Sequence, residues 1–395
     1  MTQAPNRVLF ISHAYVVGVN QGKLEAIART GSVVVGLLAP RNWKALEWNR
    51  LLPLEQPAEQ IQSYSAEVLF SGRGGAHLYA PWRLWQVLQD FRPDVVQVEE
   101  EVFSLCAFEV ALWAKLARKP LVIFGWENLD RNLPLPRHWV RKFVLNTARL
   151  IIAGNQDGAL LLRRWGYSGR VEVMPQMGVD PEFFAPRPRP MSAPKPEFKI
   201  GFLGRLVPEK GVDTLLTAMG QLKRWGIPCQ LILCGGGSAE AELRQIAEQQ
   251  QVTDRVIWRD SIPHHEVPEV LSQFDVLVLP SRTSSTWKEQ FGHVLIEAMA
   301  MGIPAVGSDS GEIPNVIHRA DLVFPEGDAI ALAVILQQMV NEPGWREEVA
   351  RYGFERVQQH YTHDRIAARL IDLWRSLLES PKTVAPLAIE LSRTH

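Results

Sequence analysis

Cysteine is scarce in this chain. Cys106, Cys229 and Cys234 are the three cysteines among 395 residues. They are too few and too unevenly placed for a disulfide framework, and no Cys-x-x-Cys pair offers a zinc or redox site. The simplest reading is a reducing compartment. Long apolar runs are also missing. Nothing approaches the ~20 residues of a membrane-spanning helix, and the early run Arg7–Ser12 is too short for a secretory signal core. The expected location is cytoplasmic, with peripheral contact to a membrane left open. No His/Cys/Asp group has metal-ligand spacing, so no metal and no cofactor is expected. No nucleic-acid-binding motif accompanies the cations, which argues against a nucleic-acid partner.

What is present is ordinary globular material, 46% hydrophobic and 22% charged, enough for a sizeable core in each of two or three domains. The net charge of −1 conceals a split. Residues 1–195 carry an excess of cations, and the remainder a comparable excess of anions. The cations cluster at Arg131, Arg137, Arg141, Lys142 and Arg149, then Arg163 and Arg164. A solvated helix face is one reading; a surface for anionic lipid or a phosphorylated acceptor is the other. Trp139, Phe143 and Leu145 interleave with these cations, as in an interfacial helix, or face the core.

Short apolar runs alternate with helical patterns along the whole chain. Strands are expected at Val8–Ile11, Val33–Leu38, Val95–Val98, Leu121–Phe124 and Leu150–Ala153, then at Lys199–Leu203, Gln230–Cys234, Val256–Trp258, Val276–Leu279 and Ala305–Gly307. Helices are expected at Val212–Trp225, Ala239–Gln250, Trp345–His360 and Arg365–Leu378, among others. Continuously apolar strands suit parallel sheets covered on both faces, so the fold class is α/β with doubly wound sheets. The proline-rich stretch from Ala185 to Pro196 excludes helix and sheet interior and reads as a linker. The expected domains are 1–184 and 198–360, joined by the linker 185–197. A C-terminal helix at 361–380 packs back on the first domain, and a loose tail occupies 381–395.

Two segments of the second half point to chemistry. In Gly201-Phe-Leu-Gly-Arg-Leu-Val-Pro-Glu-Lys-Gly211 a strand ends at Gly204 and a helix starts near Val212. Arg205 and Lys210 in the intervening turn are placed to meet a diphosphate, or are solvated loop cations. In Glu289-Gln-Phe-Gly-His-Val-Leu-Ile-Glu297, a helix is expected from Phe291 to Gly302. That leaves the peptide N–H groups of Gln290, Phe291 and Gly292 for an anion or hydroxyl oxygen. Glu289 and Glu297 would stand about 12 Å apart along a helix axis. That is too far for the carboxylate pair of a retaining glycosidase, which needs about 5–5.5 Å.

The combination Gly-Arg-Leu-x-x-Glu-Lys-Gly, then Glu-x7-Glu before Ala-Met-Ala-x-Gly-x-Pro, resembles glycosyltransferase family 4. The likeness extends through Leu279-Pro-Ser281 and Ser310-Gly-Glu-Ile-Pro314 and is weaker over residues 1–150. It implies the GT-B fold, two Rossmann-like domains facing across a cleft, and transfer of a sugar from a nucleotide-diphosphate donor with retention and without a catalytic metal. It assigns Arg205 and Lys210 to the diphosphate, Glu289 to the sugar hydroxyls and Glu297 to the ribose. Gly204 and the backbone of Gln290, Phe291 and Gly292 hold phosphate and sugar. Gly235, Gly237 and Ile262, in the turns Gly235–Gly237 and Ser261–His264, form the base pocket. The implied partners are a nucleotide-sugar donor and a sugar or lipid-linked acceptor.

The first half departs from the family pattern. Where many members have His-Asp, this chain has Trp126 and Glu127, followed by Asn128. The family histidine has no counterpart, and Glu127 or Asn128 replaces it or neither does. The first loop supplies only Gly18 and Gly22, with Gly18 a point of close approach to donor phosphate or acceptor. Two other classes stay open at this point: a catalytically silent nucleotide-sugar-binding subunit, and another GT-B enzyme such as an epimerase.

Overall fold

The computed structural model describes residues 5–45, 50–187 and 197–379. It divides into two compact units, residues 1–178 with 363–395 and residues 179–362. Most of the proline-rich stretch, 188–196, and the tail from 380 onward lie outside the described residues.

The first unit is built on seven strands: β1 (Asn6–Ile11), β2 (Val33–Pro40), β3 (Ile61–Ala66), β4 (Val95–Glu99), β5 (Leu121–Gly125), β6 (Leu150–Ala153) and β7 (Arg170–Val173). They lie parallel in the order β7-β6-β5-β4-β1-β2-β3. The chain steps outward from β1 to β3, returns beside β1 as β4, and then steps the other way. Order therefore reverses between β1 and β4. Alternate residues of each strand enter different cores: Leu9 and Ile11 join one, Val8 and Phe10 the other. Burial on both faces is why the inner strands read as largely apolar runs, with Gln97 and Glu99 of β4 as buried polar exceptions.

The helix His363–Glu379 belongs to this unit. Ile366, Ala367, Leu370, Leu373 and Trp374 face inward at helical spacing and share a core with Leu24 and Ile27 of the helix Gly22–Arg29. The Trp374 ring meets Phe10 edge-on at 5.6 Å, and its Nε1 donates to Gln97 Oε1 at 2.9 Å. Gln97 in turn donates to Glu99 Oε1 at 2.9 Å. The same oxygen receives Lys23 Nζ at 2.7 Å. Glu99 Oε2 receives the Tyr15 hydroxyl at 2.7 Å and Gln176 at 3.0 Å. Lys23 is 1% exposed and Glu99 fully buried.

The second unit carries six parallel strands: β8 (Phe198–Leu203), β9 (Cys229–Cys234), β10 (Val256–Arg259), β11 (Val276–Leu279), β12 (Ala305–Ser308) and β13 (Val323–Phe324). Their order, β10-β9-β8-β11-β12-β13, reverses between β8 and β11. At the border of the unit the Val179 N–H donates to the Tyr361 carbonyl at 2.9 Å, and Val179 pairs with Thr362. The two passages of the chain between the units are thus tied to each other.

All ten strands expected from the sequence are present, with ends shifted by a few residues at most. Three strands of the two large sheets were not anticipated, β3, β7 and β13, and neither were the short antiparallel pairs Asn42–Ala45 with Arg50–Pro53 and Val68–Leu69 with Leu78–Tyr79. β3, β7 and β13 each lie at a sheet edge. An edge strand keeps one flank open and tolerates polar residues, as in Ile61-Gln-Ser-Tyr-Ser-Ala66, so the apolar run that marks a central strand is missing.

Removing Lys23 leaves Glu99 as a buried carboxylate without its counter-charge. Lys23→Ala is expected to cost about 3–5 kcal/mol. Urea unfolding of the full chain reads this directly, and a loss below about 1 kcal/mol would show that the pair contributes little beyond a surface ion pair.

Candidate active site

In the second unit, the turns after β8 and β11 flank the point of order reversal, where open α/β sheets bind ligands. After β8, a short 3-10 turn at Pro208–Lys210 ends at Gly211. Gly211 has φ 63° and caps the helix Val212–Arg224. A Cβ there would overlap the Pro280 carbonyl oxygen, so glycine is required by both dihedral and space. This presses the Lys210 turn onto the loop after β11. Lys210 Nζ donates to Glu289 Oε2 at 2.6 Å and lies 5.0 Å from the centre of the Trp287 ring. The Ser281 hydroxyl donates to the same Glu289 oxygen at 2.8 Å. Glu289 is buried, and its backbone carbonyl accepts from the Glu312 N–H at 3.2 Å. Its peptide lies against Gly311, where no side chain would fit. Arg205 is exposed and, among the described residues, forms no ion pair or side-chain hydrogen bond.

The helix carrying Glu297 begins later than expected. It spans His293–Ala300, and Gly292 precedes it with φ 81°. The left-handed turn at Gly292 holds Gln290 and Phe291 in the loop outside the helix. Phe291 is buried, packing on Tyr361 at 5.7 Å. Glu289 therefore sits on an extended loop, and the rise of an α-helix does not set its separation from Glu297. Burial pushes the Glu297 carboxyl up to about 7. It also pulls His293 down to about 4, against the opposing charge of Glu289.

The remaining residues that the resemblance assigns to the donor sit on neighbouring turns. Gly204 N–H donates to the Cys234 carbonyl, Gly235 N–H to the Arg259 carbonyl and Leu206 N–H to the Gly236 carbonyl, each at 3.0 Å. The Gly235–Gly237 turn is thereby laced to the Arg205 turn. Ile262 is half-buried against the core, and His264 stacks on Phe183 at 5.3 Å.

In the first unit, Gly18 N–H is already taken by the Glu55 carboxylate at 2.6 Å. Trp126, Glu127 and Asn128 follow β5. The N–H groups of Trp126 and Glu127 both donate to Glu101 Oε1, at 2.7 and 2.9 Å, and Asn155 Nδ2 holds the Trp126 carbonyl at 2.9 Å. Trp126 is half-buried; Glu127 and Asn128 are buried. Burial raises Glu101 to about 8. Glu127 pairs with Arg131 at 2.5 Å. Glu101 escaped the sequence reading because its partners are backbone groups 25 and 26 residues away.

The basic cluster is partly committed to structure. Arg137 donates to the carbonyls of Gly75 and Phe103, Arg141 lies 4.6 Å over the Trp165 ring, and Arg163 holds the carbonyls of Tyr167 and Gly169. Leu145 is buried, and Phe143 packs on Phe108 at 5.0 Å. Trp139 and Leu135, however, are 73% and 76% exposed.

Two parallel-sheet α/β units, each with a polar cluster where its strand order reverses, constitute the GT-B fold. Sucrose-phosphate synthase from Thermosynechococcus elongatus has this architecture with a TM-score of 0.70 at 21% identity, covering 94% of this chain and 99% of that one. The Anabaena protein HepE in complex with UDP gives 0.66 at 19% identity, covering 94% and 100%. Residues 187–356 match the family described as glycosyl transferases group 1, and residues 21–176 match the glycosyl transferase 4-like domain. The chain belongs to the group 1, family-4-like glycosyltransferases. A GDP-mannose-dependent alpha-(1-6)-phosphatidylinositol monomannoside mannosyltransferase of Mycobacterium tuberculosis is 27% identical over 64% of this chain and 66% of its own length. The colanic acid biosynthesis glycosyltransferase WcaL of Escherichia coli, itself a putative assignment, is 35% identical over 44% and 43%. The matches thus span from under half to just under two-thirds of these relatives' lengths.

With Glu297 on the ribose hydroxyls, as the family resemblance implies, nucleotide affinity depends on its ionisation. The carboxylate accepts both hydroxyls, whereas the protonated acid does not. A group that titrates near 7 when free and stays ionised when bound weakens binding by about tenfold from pH 8 to pH 6. Calorimetric titration of nucleoside diphosphate at the two pH values measures this. Glu297→Gln is expected to flatten the dependence to that of the phosphate itself.

Proposed function

We propose that this chain transfers a sugar, with retention, from a UDP- or GDP-sugar to a hydroxyl of a sugar or lipid-linked acceptor in polysaccharide or glycolipid biosynthesis. The observation that carries this reading is the Lys210–Glu289 contact at the reversal point of the second sheet, with exposed Arg205 on the same turn as Lys210. Membership of the family supports it, as do the GDP-mannose-dependent activity named for one relative and the UDP bound to one structural neighbour.

The chemistry follows from charge. Breaking the anomeric bond leaves positive charge on the sugar and negative charge on the diphosphate. Arg205 and Lys210 neutralise the leaving group in place of a metal ion. Lys210 is engaged by Glu289. A donor diphosphate draws the ammonium toward itself and releases the carboxylate to accept sugar hydroxyls. The acceptor hydroxyl attacks from the face the diphosphate leaves, and its proton passes to the departing phosphate. Trp126 gives this chain no imidazole at the family's histidine position, and Glu127 or Asn128 replaces it or neither does.

The acceptor side is the first unit. On the helix Leu135–Thr147, Leu135, Trp139 and Lys142 are exposed at i, i+4 and i+7. An apolar pair beside a cation suits the interface of an anionic bilayer. No described helix is long and apolar enough to cross a membrane, so the proposed contact is peripheral. Co-sedimentation with anionic liposomes at low salt is expected to be lost in Trp139→Ala and at high salt. Equal, negligible binding to anionic and neutral liposomes would assign the acceptor to solution.

Arg205→Ala and Lys210→Ala are each expected to lower kcat by about two to three orders of magnitude, while Glu289→Ala mainly lowers kcat and Glu297→Ala mainly weakens donor binding. Release of nucleoside diphosphate from the nucleotide sugar, with and without acceptor, is the assay. Near-wild-type turnover in a folded Lys210→Ala variant would overturn the assignment.

A further inference from the structure

The reversal point of the first sheet holds a cluster that the proposed sugar transfer does not use. His13 follows β1, Glu100 follows β4, and His77 comes from the turn ahead of the short strand Leu78–Tyr79. One ligand atom from each lies within 4.8 Å of the other two. Glu100 Oε1 is 2.5 Å from His13 Nδ1 and 3.6 Å from His77 Nε2. We propose that His13, His77 and Glu100 bind a divalent transition-metal ion, zinc by the chemistry of the set.

His77 is the most telling member. It is fully buried, and its Nε2 has no hydrogen-bond partner. Its Nδ1 lies 3.0 Å from the Gly74 carbonyl oxygen. A carbonyl only accepts, so Nδ1 carries the proton and Nε2 presents a bare lone pair toward Glu100. A buried lone pair without a donor is costly in a folded protein, and a metal ion satisfies it. The carbonyl on the far nitrogen is also the usual outer support of a metal-bound histidine.

Further contacts hold the three residues in place. Glu100 is 1% exposed and receives the His13 backbone N–H at 3.1 Å. The His13 ring stacks on Trp43 at 4.4 Å. The turn bearing His77 is anchored at the Gly75 carbonyl by the Leu105 N–H and the Arg137 guanidinium. The His13 side chain is 19% exposed, which gives the ion a way in. Two imidazoles and one carboxylate leave a coordination position for water or substrate, the arrangement of open zinc sites. Magnesium and calcium favour all-oxygen sets and are disfavoured here. The site lies in the first unit, and the cations proposed for the diphosphate lie in the second. The two assignments therefore stand or fall separately.

The test uses the full chain freed of metal by dialysis against chelator. Titration with zinc chloride is expected to show one tight equivalent, and cobalt chloride is expected to give the intense visible bands of four-coordinate cobalt. His13→Ala, at the partly exposed position, and His77→Gln are each expected to weaken zinc by about 100-fold or more, with metal-free melting temperatures close to wild type. His265→Ala, which removes an exposed imidazole elsewhere, is expected to bind as wild type. Equal zinc binding by wild type and the His13→Ala/His77→Gln double variant, or loss of the tight equivalent in His265→Ala, would overturn the proposal. A folded His13→Ala variant keeps the test valid if His77→Gln does not fold. Absence of tight zinc binding to wild type would also overturn it and leave His13 and Glu100 as a hydrogen-bonded pair.

Discussion

The first unit is organised around the carboxylate of Glu99. Five segments of the chain converge on it, directly or through Gln97: Lys23 from the first helix, Tyr15 from the loop before it, Gln97 from β4, Gln176 from beyond β7, and Trp374 from the C-terminal helix. Burying a carboxylate is expensive unless charge and hydrogen bonds are supplied together. Lys23 adds a further constraint, because it lies in the first turn of its helix, where the backbone dipole disfavours a cation. Burial pulls the ammonium down and Glu99 opposes the shift. The rings of Phe10, Tyr15 and Phe124 surround it at 5.5 to 5.9 Å. Neither partner is tolerable without the other, so the pairing fixes how helix, sheet and C-terminal helix meet.

The adjacent residues divide the work. Glu99, Glu100 and Glu101 are consecutive, yet each faces a different neighbourhood. Glu99 holds the core together, Glu100 faces His13 and His77, and Glu101 grips the peptide N–H groups at Trp126 and Glu127. The end of β4 is where the strand order reverses, so successive side chains radiate into the space between diverging loops. The second unit uses the same geometry with different chemistry, a cation and a carboxylate in contact across the ends of β8 and β11.

Much of this was legible in the sequence. The central strands are buried on both faces and announce themselves as apolar runs. The Arg205, Lys210, Glu289 and Glu297 motif is local, with its members on two short segments. The edge strands β3 and β7 were lost because half of their residues or more are polar, and β13 because it is only two residues long. The helix start was misplaced by two residues because Gly292 adopts a left-handed turn that the apolar pattern does not reveal. The cluster at His13, His77 and Glu100 was invisible for another reason: its members are dozens of residues apart, and only the parallel pairing of β1 with β4 brings two of them together. A resemblance that weakens over the first half of the chain offered no help there.

The C-terminal helix has a consequence for how the molecule is made. Residues 363–379 complete the core of the first unit, and their tryptophan closes the Gln97–Glu99 network. The ribosome delivers the β1-to-β7 segment first and this helix long afterward. The second unit is continuous from Val179 to Thr362 and has all its strands before the helix is translated. Domains ordinarily fold in the order they emerge. Here the first unit to appear is the last to be finished, and until the helix arrives Leu24 and Ile27 lack part of the core they share with it.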